Sequence, residues 1–321
     1  MTNQKVQDIK SKLKLPVIMA PMFLVSNPKM VLEGCKSGII GSFPVLNART
    51  EEILDQWMTE INQELAEFEK KHPGKAGPWA VNFVAHRSNK RYKEDLALIE
   101  KHQPPLVITS LGDPGPIAEV VHQYGGLVFS DVVNSKFAKK AIEKGSDGLI
   151  LVASGAGGHG GDLNPIAFLH EVKTFWDGPV VLAGGMSKGK DVLASEIIGA
   201  DLVYMGTRFI PSDESTAYDA YKEMVTNAKA EDILYTDVFT GVNANYLVPS
   251  IEKAGLDVEA IMNNEKMDLS DIKVWKDVWG AGQGVGAVHG RQPVAEIVDE
   301  LKNSYDEAKE RVANHTKVMQ N

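Results

Sequence analysis

Eight short apolar runs, separated by segments of helical periodicity, constrain this chain more than any other feature. They are "PVIMA" (16–20), "GIIGSF" (38–43), "WAVNFV" (79–84) and "PLVITS" (105–110), then "GLVFSD" (126–131), "GLILVA" (148–153), "PVVLAG" (179–184) and "LVYMGT" (202–207). Most are apolar without strict alternation, as expected of parallel strands whose outer faces are covered by helices. The intervening segments fit that role. Residues 50–72 open on a Thr50 cap candidate with acids in the first turn, and Ile53, Trp57 and Ile61 form an apolar stripe. Residues 135–145 close on Gly145, and 189–201 pass through Gly199, both placed as residues that end a helix. Eight strands with helical connections predict an α/β fold, the (β/α)8 TIM barrel. An open doubly wound sheet shares the alternation, since a strand count does not establish closure.

After Gly206 the rhythm changes. Residues 212–278 carry helical patterns and loops and predict a smaller, mostly helical insertion after the eighth strand. Three segments follow: a barrel domain over 1–211, a helical cap over 212–278, and 279–321, in which "GAGQGVGAVHG" (280–290) and an amphipathic helix (293–312) return to the barrel.

A formal charge of −9 over 321 residues argues against nucleic acid as a partner, because phosphate contacts demand a basic surface. No stretch reaches the roughly 18 apolar residues of a membrane span, and the first residues lack a signal-like apolar core. The single cysteine, Cys35, excludes an internal disulfide and fits a reducing, cytoplasmic setting. In "LEGCKSG" it reads as a small buried residue rather than a nucleophile. One cysteine and no paired-ligand spacing argue against a zinc site.

In a barrel, chemistry belongs to the loops that follow the strands. "ASGAGGHGGD" (153–162) follows the sixth run and crowds five glycines around His159. It reads either as a loose turn or as a loop whose backbone approaches a ligand and presents an imidazole to it. Barrels often bind phosphate between the loops after strands seven and eight, and there Gly184, Gly185, Gly206 and Thr207 offer uncovered N–H groups and one hydroxyl. Two ordinary turns would carry the same glycines. Arg208 suits either a phosphate or a structural ion pair.

"VIMAPM", "VNFV", "GAGGHGG", "VVLAGGM" and "GADLVYMGTRF" stand in the order and spacing of the nitronate monooxygenases, and the chain resembles that family over roughly residues 14–215, with "WGAGQGVG" (279–286) similar as well. The resemblance implies an FMN-binding barrel with a helical domain over one flavin face. It implies that Ala20, Pro21 and Met22 run along the isoalloxazine edge and that Asn82 hydrogen-bonds the ring. Gly157 and Gly158 would pack close to the cofactor, and Gly184, Gly185, Gly206 and Thr207 would hold its phosphate. His159 matches the histidine that faces substrate, as a base toward a nitroalkane or a hydrogen-bond donor toward a nitronate. The implied partners are a small nitronate or nitroalkane and dioxygen.

Two departures bear on substrate. Phe23-Leu24-Val25 follows "APM" where many members carry small residues, and Asp131 stands where some carry a lysine that approaches the flavin. A carboxylate there either meets the ring or caps the next helix. The same architecture serves FMN-dependent NAD(P)H reductases of quinones or enoyl thioesters, which is the alternative activity; a flavin-binding barrel without turnover is a third reading. Among lesser candidates, His86 lines the pocket or lies on the surface, and Gln283 matches a family position near the site. "SDES" (212–215) is expected to cap the first insertion helix, and Tyr246 and Leu247 to serve either a homo-oligomer interface or the insertion's core.

Overall fold

The computed structural model describes residues 2–263, 265 and 268–318. All eight apolar runs form strands: β1 (Val17–Met19), β2 (Gly41–Pro44), β3 (Trp79–Val84), β4 (Leu106–Ser110), β5 (Leu127–Val132), β6 (Gly148–Val152), β8 (Val180–Ala183) and β9 (Leu202–Met205). A two-residue strand, β7 (Gly158–His159), lies between the sixth and seventh of these and belongs to another sheet. The eight pair in parallel in the order β1-β9-β8-β6-β5-β4-β3-β2. The ends of that order also meet: Ile18 bridges Ile40, with Met19 N–H to Ile40 O at 2.8 Å and Ile40 N–H to Val17 O at 3.0 Å. The sheet therefore closes on itself, and the open-sheet alternative falls.

Strand side chains alternate between inside and outside. Ile18, Ala80, Ile108, Phe129, Ile150, Val181 and Leu202 fill the interior. Their neighbours Val17, Val81, Val107, Val128, Leu149, Leu182 and Val203 pack outward against the helices. Both sets are apolar, which is why the runs lack a polar beat. Helix α1 (Thr2–Lys12) sends Val6, 1% exposed, into the interior cluster, with Ile9 and Leu13 beside it, and stoppers the end of the barrel remote from the loops.

The outer helices follow their sequence signals. In α3 (Glu51–Lys71) Thr50 Oγ1 accepts the Ile53 N–H at 3.3 Å. Helix α6 (Ser135–Glu143) is followed by Gly145 at φ +88°, and α8 (Gly189–Ile197) by Gly199 at φ +105°. Cys35 is buried and its thiol is pushed up to about 12 by burial, so it is no nucleophile at neutral pH.

The segment 212–278 holds α9 (Asp219–Asn227), α10 (Val248–Lys253) and α11 (Val258–Met262), together with a hairpin that its helical pattern did not announce. Strands β10 (Ile233–Thr236) and β11 (Ala244–Leu247) pair antiparallel, and β7 adds to the far edge of β11 through Ala244↔His159 and Asn245↔Gly158. Tyr246 and Leu247 are fully buried, so they serve the core and not an exposed interface. "SDES" caps a different helix from the one expected. The Glu214 carboxylate accepts the Val294 N–H at 3.0 Å, at the start of α12 (Val294–Val318), while α9 begins later, at Asp219. Among the described residues no helix is long and apolar enough to cross a membrane.

Candidate active site

A cavity of about 1550 Å³ opens at the C-terminal ends of the barrel strands. Strand parity builds its floor. On β3, β4, β5 and β9 the inward positions are apolar at depth (Ala80, Ile108, Phe129, Leu202) and become polar at the mouth two residues later: Asn82, Ser110, Asp131 and Tyr204. Asn82 Nδ2 donates to Ile108 O at 3.3 Å and Ser110 Oγ at 3.2 Å, which commits both donors to β4 and leaves the amide oxygen as its free group.

The expected residues Ala20, Pro21, Met22, Asn82, Gly157, Gly158, His159, Gly184, Gly185, Gly206 and Thr207 all line this cavity, as do Phe23, Asp131 and His86. Phe23 is at the mouth under the Arg49 guanidinium, 5.2 Å above its ring. His86 is exposed and bonded to Ser88 Oγ at 2.9 Å.

The glycine-rich loop is neither loose nor featureless. A Cβ on Gly157 would stand 2.8 Å from Gly282 N, so its missing side chain admits the backbone of the 280s loop. Gly155 O accepts N–H groups from Gly185 at 3.3 Å and Gln283 at 2.9 Å, tying three loops together. Gly185 N–H is thereby turned inward, away from the donor role expected of it. Gln283 bonds the loop through its backbone N–H and its side chain lies against Gly155, but the residue is exposed and does not line the cavity.

His159 is half-buried on β7. Its Nε2 lies 3.0 Å from Thr240 Oγ1, and Trp275 packs edge-on at 5.3 Å. Burial lowers its pKa from the usual imidazole value, because desolvation penalises the cation. Thr240 Oγ1 is in turn 3.0 Å from Val242 O and accepts the Val242 N–H at 3.3 Å, so the hydroxyl that meets the imidazole is itself held by the hairpin turn. The ring is oriented by Thr240, and burial favours its neutral form.

Thr207 Oγ1 accepts the Gly282 N–H at 2.9 Å and keeps its own proton to give. Thr207 also begins a short 3-10 turn, Thr207–Phe209, whose first N–H groups have no partner within the turn. Arg208 is structural: it is 5% exposed, reaches Glu300 at 2.6 Å and Gln292 at 3.0 Å, and lies outside the cavity wall.

Sequence reasoning missed Tyr204 and Ser110, which the parity of their strands would have placed inside the barrel. It also missed Thr240 and Trp275, which reach His159 only through the hairpin and a loop more than 80 residues away and carry no local signal.

A family model described as "Nitronate monooxygenase" matches residues 5–303. A nitronate monooxygenase of Neurospora crassa is 25% identical over 93% of this chain and 90% of its own. A probable nitronate monooxygenase of Staphylococcus haemolyticus is 30% identical over 48% of this chain, and the chain spans 46% of that relative's length. A nitroalkane oxidase structure from Streptomyces ansochromogenes, 22% identical, shares the fold with a TM-score of 0.78 over 95% of this chain and 99% of that one.

Proposed function

Because the chain belongs to the nitronate monooxygenase family and is an oxidoreductase, we propose that it binds FMN in the barrel mouth and oxidises small alkyl nitronates with dioxygen, with His159 as the residue facing substrate. The observation that carries this reading is an imidazole, kept neutral by burial and oriented by Thr240, on the wall of a cavity whose other features suit a flavin.

The residues fit that cofactor. Gly184 and Gly185 hold φ of +120° and +69°; a Cβ on Gly184 would stand 2.4 Å from Ser154 O, and one on Gly185 would project into open space. Bare backbone thus borders the cavity where a phosphate would sit. The Thr207 hydroxyl and the first N–H groups of its turn are the donors, since Gly185 and Arg208 are committed elsewhere. The free acceptor of Asn82 suits the imide N–H of an isoalloxazine. Bound FMN would supply the electron acceptor that no side chain provides. Ala20, Pro21 and Met22 would flank its edge, and Gly157 and Gly158 would lie close to it.

With His159 neutral, its unprotonated ring nitrogen can take the α-proton of a neutral nitroalkane, and the hydrogen bond to Thr240 holds the ring as it does so. Trp275, packed against the ring in a T-shaped contact, adds to the burial that keeps the imidazole neutral.

One observation favours a second reading. The cavity exceeds the roughly 300–1,000 Å³ usual for a small-ligand site, leaving room for a nicotinamide or an acyl thioester in an FMN-dependent NAD(P)H oxidoreductase. An anaerobic visible spectrum separates the two. Loss of the flavin bands on adding a small alkyl nitronate supports nitronate oxidation; bands that nitronate leaves unchanged, and NADPH bleaches, overturn it in favour of the reductase.

A further inference from the structure

Among the described residues, no cation pairs with the carboxyl group of Asp131. Its strand neighbours Leu127 and Phe129 face the barrel interior while Val128 and Val132 face out, so parity turns Asp131 inward at the cavity floor. Its Oδ1 is buried and accepts no hydrogen bond. It does not cap α6, because Asn134 Oδ1 takes the Phe137 N–H at 3.0 Å. Among the described residues, Asp95 is the other carboxylate with a buried oxygen left unbonded, and it has Arg91 at 3.0 Å; Asp131 has no such neighbour among them. Its flanking strands present Thr109 and Ser110 from β4 and Ile150 from β6, and the titratable group across the barrel is Tyr204. Farther toward the mouth stand His86, Asp113, Lys140, Lys144, His159 and Asp162.

We propose that Asp131 is the proton-holding residue of the cavity: when negative charge arrives on the bound flavin, the Asp131 carboxylate takes up a proton and the site stays close to neutral. The inference rests on the FMN reading above. Two anions in one cavity repel, and with Lys140 and Lys144 standing farther toward the mouth rather than against Asp131, the cheaper outcome is protonation of the weaker acid. Burial alone already pushes Asp131 up to about 7, with no charged neighbour opposing it. Added negative charge raises it further. Two electrons from an electrode and one proton go to the flavin ring, and one further proton goes to a carboxylate oxygen of Asp131. The two groups titrate as a coupled pair, so the proton count of the pair is the quantity to measure.

The experiment is spectroelectrochemistry of the FMN-loaded protein from about pH 7.5 to 9, where Asp131 starts mainly ionised. The pH slope of the reduction potential gives protons per electron pair. The expected result is about two for the native protein and about one for Asp131→Asn. A native count of about one, or a variant count that stays at about two, overturns the proposal. If the variant fails to fold, infrared difference spectra of native protein carrying isotope-labelled aspartate decide: reduction must raise a protonated carboxyl band, and its absence overturns the idea. A yellow protein failing these tests sinks this proposal alone. Protein that will not bind added FMN sinks the cofactor reading, and this proposal with it.

Discussion

His159 Nε2 and Thr240 Oγ1 stand 3.0 Å apart, and Thr240 Oγ1 is itself 3.0 Å from Val242 O. That hydrogen bond holds the imidazole at the cavity wall. Thr240→Val removes it while keeping the shape, and the expected cost is one hydrogen bond, about 1–1.5 kcal/mol, or roughly tenfold in turnover. Steady-state rates with unchanged flavin absorbance check it; an unaltered rate would show that the ring is held by something else.

Replacing His159 by Asn should lower turnover with a neutral nitroalkane by about 10²–10⁴, the usual worth of a general base. The protein should stay yellow, because the glycine loop is anchored by backbone bonds rather than by the imidazole. Loss of flavin on gel filtration would instead make the residue a cofactor ligand.

The pH dependence has a definite sign. Burial lowers the His159 pKa, so the neutral base survives to more acidic pH than a free imidazole would allow. The acid limb of kcat/KM is expected below the ordinary 6.5. Measuring it also in Asp131→Asn removes the carboxyl that titrates at about 7. A limb above 6.5 in that variant contradicts the assignment.

Adjacent glycines should behave differently. Gly185→Ala meets open space and suffers only its φ of +69°, about 1–2 kcal/mol. Gly184→Ala adds a Cβ 2.4 Å from Ser154 O, and should cost about 3 kcal/mol or prevent folding. Thermal melts order the two. FMN titration of Gly185→Ala should show weakened binding, since its methyl enters the cavity.

Arg208→Gln should lower stability by about 1–3 kcal/mol through the lost bonds to Glu300 and Gln292. FMN affinity should stay within about twofold, because the guanidinium points away from the cavity. A large loss of affinity would return Arg208 to the phosphate.

The barrel was legible because its strands are buried on both faces and read as unbroken apolar runs between capped helices. Closure was not, since it rests on a bridge between Ile18 and Ile40 that no pattern announces. The candidate site was legible where one loop carries it, at His159 and the glycines. It was illegible where two distant segments meet. β10 is short and only half-buried, and β7 is two residues long, so neither has enough sequence to show a period of two. Tyr204 and Asp131 lay in plain view inside two of the apolar runs. Their parity with Leu202 and Phe129 was the overlooked signal.

The stopper that Val6 and its helix drive into the barrel also sets a direction. With that end filled by apolar side chains, the cavity faces the opposite way, toward the loops that carry Phe23, His86 and His159, and a change of side chain there alters what meets an incoming molecule first.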